Sequence, residues 1–135
     1  MKIEVSTGEI FDKLSILEIK KRKIKGRKLI NVEKEWKYLK KKVDAFRNDV
    51  KSKENEKLHK YLLQTLIGEL LIVNLRLWEI EDEIRKCEEK QDFGNKFIEL
   101  ARQVYITNDK RSMIKNKINL HTKSKFIEEK SYKKY

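Results

Sequence analysis

Residues 62–87 read LLQTLIGELLIVNLRLWEIEDEIRKC and hold the densest apolar run of the chain. Apolar side chains recur there at spacings of three and four residues, which is the period of an α-helix. One stripe consists of Leu62, Leu66, Leu70, Val73, Leu77, Ile80, Ile84 and Cys87. A second stripe consists of Leu63, Ile67, Leu71, Asn74 and Trp78. Two stripes cover most of the circumference of a helix, so we predict a helix over about 55–90 that lies inside a bundle.

The chain before this stretch contains the pattern of a helix start. Ser6 is followed three residues later by Glu9, which is a capping-box pattern. We therefore predict a first helix from Thr7 to about Lys25, with Gly26 ending it.

Two further helices and a short strand are predicted from similar signals. Asn31 can cap a second helix over 32–49, and Asp92 can cap a fourth helix that begins near residue 93 and fades at 120–124. Residues 1–5 alternate apolar and polar side chains, which predicts a short strand. Gly68, in the middle of the third helix, predicts close packing against a neighbour.

The length and composition favour one helical domain. The chain has 135 residues, no proline and 4 glycines, so long uninterrupted helices are expected. We predict an all-α protein, an antiparallel bundle of four helices with long helices 3 and 4, a short extended N-terminal segment and a C-terminal tail. The domain spans 1–135, with its core at 6–122. The tail, 123–135, is expected to be partly disordered, and either to pack on the bundle or to pair with residues 2–5.

The charge and the cysteine content limit the classes of protein to which the chain can belong. The formal net charge is +12, which leaves nucleic-acid binding through a Lys-rich surface open, although no nucleic-acid motif is visible. Cys87 is the single cysteine, so no disulfide framework is expected and a cytoplasmic location is favoured. The longest uninterrupted apolar run in the central stretch is Leu70 to Val73, whereas a membrane span needs about 20 residues.

A polar constellation interrupts the apolar faces. Arg111 stands between Thr107 and Ile114 on the stripe of the fourth helix, and a buried unpaired charge is very costly. We therefore predict that Arg111 forms an ion pair with at least one of three acids, Asp12, Glu79 and Asp82. The candidate ligand-binding set is Asp12, Lys13, Glu79, Asp82, Thr107, Asn108, Asp109 and Arg111.

This constellation has two interpretations. One is a pocket between helices that holds an anionic or sugar-linked ligand, contacted by Lys13 and Arg111. The other is an ion-pair network that fixes the register of the helices. No metal site, cofactor or catalytic residue is predicted, because Glu79 and Asp82 at a spacing of three are a weak signal and neither histidine stands in a Glu-x-x-His motif.

Several stretches resemble a family of small bacterial and phage proteins of unknown function. These stretches are KIEVSTGEIFDKLSILEIK at 2–20, LWEIEDEIRKCE at 77–88, DFGNKFIELARQVYITNDKRSMIKNKIN at 92–119 and EEKSY at 128–132. The resemblance implies an indirect link to surface-carbohydrate biosynthesis, and it brings no catalytic assignment. The polar positions of this chain that match the motifs of the family are Glu9, Asp12, Lys13, Glu79, Asp82, Arg85, Thr107, Asn108, Asp109 and Arg111.

The functional expectation is a small intracellular protein for binding or assembly that self-associates. A third helix of about 36 residues would be about 54 Å long, which is longer than the first two helices can cover. The apolar surface of the third helix that the first two helices leave exposed predicts a homo-oligomer. The alternative is an enzyme or small-molecule binder that uses the polar constellation.

Overall fold

The structure is a computed structural model that describes residues 1–49 and 56–135. These ranges contain four helices, α1 (Thr7–Lys23), α2 (Arg27–Asp49), α3 (Glu56–Glu89) and α4 (Asn95–His121), and no strand. The predicted all-α, four-helix fold with α3 and α4 as the longest helices is confirmed. No helix in the described ranges combines the length and the apolar character that a bilayer crossing demands.

The α3 and α4 helices form an antiparallel hairpin. At one end, the Glu83 carboxylate in α3 lies 2.8 Å from the Lys96 ammonium in α4. At the other end, the rings of His59 and His121 stack with their centroids 3.9 Å apart. A short turn at residues 90–94 joins the two helices, and its length requires them to be neighbours.

The α1 helix lies at the centre of the fold. Among the described residues its backbone comes close to that of all three other helices, whereas the backbone of α2 comes close only to that of α1. Phe11 and Leu14 of α1 lie in the main core. The other buried members of that core are Val43, Leu63, Leu70, Ile114 and Ile118. The α1 helix therefore lies on one side of the α3–α4 hairpin, and α2 packs on α1 while its side chains reach α3, as in the hydrogen bond from Arg47 to the Gln64 side-chain oxygen at 2.7 Å.

This arrangement corrects the prediction that α3 is enclosed. Leu58, Leu62 and Ile72 of α3 are 54%, 43% and 69% exposed, because α1 covers one side of the hairpin and no described helix covers the opposite side. Gly68 does not pack closely either, since a Cβ atom built there would meet nothing within 4 Å.

The start of α2 differs from the prediction. The helix begins at Arg27, and Asn31 lies inside its first turns rather than at its cap. Gly26 has φ of 68°, and its carbonyl accepts a hydrogen bond from the Leu29 N–H at 3.1 Å. Gly26 therefore opens α2 instead of ending α1, which stops at Lys23. A left-handed glycine reverses the chain within a very short connection.

The turn before α4 also differs in detail. The Asp92 carboxylate accepts a hydrogen bond from the Gly94 N–H at 3.1 Å. Gly94 is the N-cap residue of α4 and has no side-chain cap. Asp92 therefore stabilises the turn and does not cap the helix.

The predicted strand at residues 1–5 is wrong. Ile3 is 75% exposed and no strand in the described ranges lies beside it, so its backbone has no ladder to join. The tail contacts both the N-terminal segment and the bundle through side chains: the Lys125 ammonium lies 2.6 Å from the Glu4 carboxylate, and the Tyr135 hydroxyl donates to the Asp109 carboxylate of α4 at 2.8 Å.

Candidate functional site

The predicted ion pair of Arg111 is present, and its partner is Asp12. Arg111 Nε lies 2.9 Å from Asp12 Oδ1, and a terminal nitrogen of Arg111 donates to Asp12 Oδ2. The Asp12 side chain is 1% exposed, and that of Arg111 is 29% exposed. The hydrogen bonds to Asp12 raise the pKa of Arg111 despite its partial burial. The pair joins the middle of α1 to the middle of α4.

Asn74 of α3 joins the same network. Its amide nitrogen donates to Asp12 Oδ1 at 2.8 Å and to the Ser15 hydroxyl at 2.6 Å. The Ser15 hydroxyl in turn donates to the Asp12 carbonyl at 2.8 Å. Three helices thus share one buried polar centre, and Asp12 Oδ1 accepts from both Arg111 and Asn74. The stripe pattern placed Asn74 on an apolar face but did not indicate that it would contact Asp12.

An open cleft of about 530 Å³ lies beside this network. We call it the Arg111 cleft. Its lining comes from all three helices of the network and consists of Ile16, Asn74, Leu77, Trp78, Glu81, Asp82, Arg85, Asn108 and Arg111. The predicted residues Asp82, Asn108 and Arg111 are therefore brought together, with the indole of Trp78 in the same wall.

The polar groups of the Arg111 cleft are only partly paired. Arg111 reaches the Asn108 side-chain oxygen at 3.5 Å, which is a weak hydrogen bond. Arg85 lies 3.6 Å from the Glu81 carboxylate. Asp82 has no ion-pair partner within the described ranges. The cleft therefore offers both donors and acceptors, because two arginines and two acids line it.

Two predicted residues lie outside the Arg111 cleft. The Lys13 ammonium is 2.7 Å from Glu35 of α2, because the residue after Asp12 is turned about 100° around the helix and faces another neighbour. Glu79 lies 3.5 Å from Arg76, one turn earlier on an exposed side of α3. Neither side chain contacts the network around Asp12.

Thr107 and Asp109 are also separate from the Arg111 cleft. Thr107 is 5% exposed and does not line the cleft. Asp109 accepts from the Tyr135 hydroxyl and faces the tail. They flank Asn108 by one residue on either side, so the rotation of the helix points them in other directions.

A second polar cluster lies at the start of α1, and no spacing pattern in the sequence predicted it. The Lys115 ammonium lies 2.5 Å from Glu9 and 2.9 Å from Glu128. Ser6 accepts from the Glu9 N–H at 3.2 Å, as the capping pattern predicts, and donates to Glu128 at 2.7 Å. Burial lowers the pKa of Lys115, but the hydrogen bonds to both acids outweigh it and raise the pKa. Glu128 lies in the EEKSY stretch that resembles the family, and this stretch was the sequence feature that could have indicated the cluster.

Gly8 makes a close contact that the sequence analysis also missed. Its N–H donates to the Asn119 side-chain oxygen at 2.6 Å, and Asn119 is 1% exposed. A Cβ atom at Gly8 would lie 2.6 Å from the Lys115 carbonyl oxygen. Glycine at position 8 thus allows the start of α1 to touch the backbone of α4.

The described ranges contain no group of three or more histidine, cysteine, aspartate or glutamate side chains arranged to hold a metal ion. Cys87 in α3 is a free, buried thiol.

The fold and the cleft define a small all-α protein whose three packed helices enclose a polar centre beside an open cleft. The model of a family of unknown function, DUF6165, matches residues 1–135, so the chain belongs to that family. The resemblance to a family of unknown function is thereby confirmed. Comparison with the curated proteins and with the solved structures found no match.

Proposed function

We propose that the protein binds a small polyhydroxylated ring, such as a saccharide, in the Arg111 cleft. The observation that carries the proposal is the lining of the cleft, which places Trp78 beside amide, carboxylate and guanidinium groups in a space of about 530 Å³. Small-molecule sites commonly combine apolar or aromatic walls with a few polar groups that fix orientation.

The polar groups have the hydrogen-bonding character that hydroxyl groups need. A hydroxyl both donates and accepts, and the amide of Asn108 can do the same. Asp82 provides an acceptor without an ion-pair partner in the described ranges. Arg111 is held in place by Asp12 and reaches Asn108 only at 3.5 Å, so it retains donor capacity toward the cleft.

The charge balance favours a neutral ligand over an anionic one. Arg85 is near Glu81, and Arg111 is neutralised by Asp12. Lys13, which was expected to contact an anion, pairs with Glu35 outside the cleft. An anionic group in the cleft would have to compete with carboxylates that are already in place. A saccharide also agrees with the link to surface-carbohydrate biosynthesis that the resemblance implies.

The test is saturation-transfer NMR with a panel of neutral mono- and disaccharides and their phosphorylated counterparts. We expect at least one neutral saccharide to bind, and Trp78→Ala and Asp82→Asn each to weaken its binding about tenfold or more, the effect of losing about 1.4 kcal/mol.

The matched control is Glu79→Gln, which removes one carboxylate charge from the same helix three residues from Asp82 but outside the cleft. Binding by this variant should equal that of the wild type. If no neutral saccharide binds at millimolar concentration, or if Glu79→Gln weakens binding as much as Asp82→Asn, the proposal is wrong.

A further inference from the structure

The side of the α3–α4 hairpin that faces away from α1 carries exposed apolar side chains. We call it the outer face, and it is formed by Leu62, Glu69, Ile72, Lys110, Met113 and Lys117. Ile72 and Met113 are 69% and 60% exposed. They line an apolar groove of about 310 Å³ between the two helices. Exposed apolar patches with a polar rim commonly mark interaction sites.

The rim of this groove has charges of both signs that are not paired within the part of the chain that the structure describes. Glu69 stands on the α3 side, and Lys110 and Lys117 stand on the α4 side. None of the three has an ion-pair partner in residues 1–49 and 56–135. Elsewhere on α4, Lys115 and Arg111 are both paired with acids.

We propose that the outer face binds the outer face of a second copy of this chain, related by a two-fold axis that runs along the groove. Such an axis places α3 of one copy over α4 of the other. Because the axis is parallel to the helices, each residue keeps its position along the helix direction. The Glu83–Lys96 and His59–His121 contacts at the two ends of the hairpin put Glu69 level with about residue 111 of α4. Glu69 would therefore lie beside Lys110 of the other copy, with Lys117 about two helical turns further along the same helix. The same contacts then occur twice, as an isologous interface requires.

The side of the hairpin that carries the outer face is large enough for such a dimer. The α4 helix has 27 residues and is therefore about 40 Å long, and two adjacent helices are about 20 Å wide together. This whole side, of which the outer face is the central part, thus measures about 800 Å², which is the area that each partner buries in a stable interface of standard size. Ile72 and Met113 of each copy would enter the apolar groove of the other.

This interface leaves the Arg111 cleft open, because the cleft is lined by α1 residue Ile16 and lies on the α1 side of the hairpin. The dimer therefore does not depend on the proposed ligand. The length of α3 led us to expect self-association. The proposed dimer assigns a surface and a symmetry to it.

The decisive experiment is a charge exchange measured by sedimentation velocity at micromolar concentration. Glu69→Lys places lysines against lysines twice in its homodimer, and the double variant Lys110→Glu/Lys117→Glu places acids against acids twice. Like charges across an interface are strongly unfavourable, so each variant alone should be a monomer. An equimolar mixture restores opposite charges at every contact and should sediment as a 1:1 dimer.

Matched controls separate this effect from total charge. Glu89→Lys and Lys37→Glu/Lys41→Glu make the same charge changes at exposed positions away from the outer face, and both should dimerise like the wild type. Ile72→Ser/Met113→Ser should be a monomer with unchanged helical circular dichroism, because both side chains are largely exposed in one copy.

A wild type that stays monomeric up to about 100 µM would overturn the proposal. A dimer that survives Glu69→Lys, or a charge-exchanged mixture that fails to associate although the wild type dimerises, would show that another surface or another symmetry is used.

Discussion

Asp12 in α1 and Arg111 in α4 form a two-point ion pair in which the side chain of Asp12 is 1% exposed and that of Arg111 is 29% exposed. Two separate nitrogens of Arg111 donate to the two oxygens of Asp12, and this fork geometry is available to arginine but not to lysine. The pair fixes the height of α1 relative to α4, and it holds Arg111 at the wall of the cleft.

Arg111→Met should destabilise the fold, because it leaves the Asp12 charge buried with the Asn74 amide as its remaining side-chain donor among the described residues. Breaking a buried pair typically costs about 3–5 kcal/mol, and the partial exposure of Arg111 places the expected loss near 3 kcal/mol. Urea denaturation monitored by circular dichroism measures it. The double variant Asp12→Asn/Arg111→Met removes both charges and should recover part of the loss. A loss below about 1 kcal/mol in the single variant would mean that the pair does not hold the helices together.

Gly8→Ala should destabilise the protein, whereas Gly68→Ala should stabilise it. A Cβ atom at residue 8 would lie 2.6 Å from a backbone oxygen of α4, so α1 and α4 must move apart; at residue 68 it meets nothing within 4 Å. The expected changes are a loss of about 1–3 kcal/mol at residue 8 and a gain of up to about 1 kcal/mol at residue 68. Thermal and chemical denaturation of both variants compare the same substitution in two helices. Equal effects would contradict the close approach at Gly8.

The stacked histidines should make stability depend on pH. His59 and His121 stack with an interplanar angle of 19°, and His59 Nε2 is buried without a hydrogen-bond partner among the described residues. Burial lowers the pKa of His59, and the nearby charges of His121 and Lys123 lower it further. The unfolded chain therefore binds a proton at this site at higher pH than the folded chain does. Stability is full above the ordinary histidine pKa of about 6.5 and decreases as the pH falls from there through the folded-state pKa.

His59→Phe tests this dependence, since it keeps a ring in the stack and removes one titrating group. The unfolding free energy of the wild type should fall between pH 7.5 and pH 5, and that of the variant should fall less steeply. Urea denaturation at several pH values in this range compares the two slopes. Identical slopes would show that His59 titrates normally in the folded protein.

The helices themselves follow from local signals in the sequence. The three-and-four spacing of apolar residues predicted the end of α3 to within about one residue, and Ser6 with Glu9 predicted the start of α1. The predicted start of α3 at residue 55 lies outside the described residues. These features depend on the backbone and on near neighbours in the chain. The start of α2 was misplaced because Gly26 acts through its left-handed backbone conformation, which either end of a helix can use.

The pairing of Arg111 could also be predicted from the sequence, because a buried charge without an opposite charge beside it destabilises the fold strongly. Which acid it meets was decided by the tertiary structure: Asp12 rather than Glu79 or Asp82. The helix packing also turned Lys13 toward Glu35 and Asp109 toward Tyr135. Neighbours in sequence differ by about 100° in direction on a helix, so the direction of packing selects among them.

The remaining contacts join residues that are far apart in the chain. Gly8 touches Asn119 across 111 residues, and Ser6 touches Glu128 across 122. No periodicity in a single sequence relates such positions, because their approach depends on how whole helices pack. The sequence by itself determined where helices form and that Arg111 needs an acid. The tertiary structure alone decided that α1 is central, that a cleft opens beside Arg111, and that one side of the α3–α4 hairpin is left uncovered among the described residues, because each of these depends on the packing of complete helices.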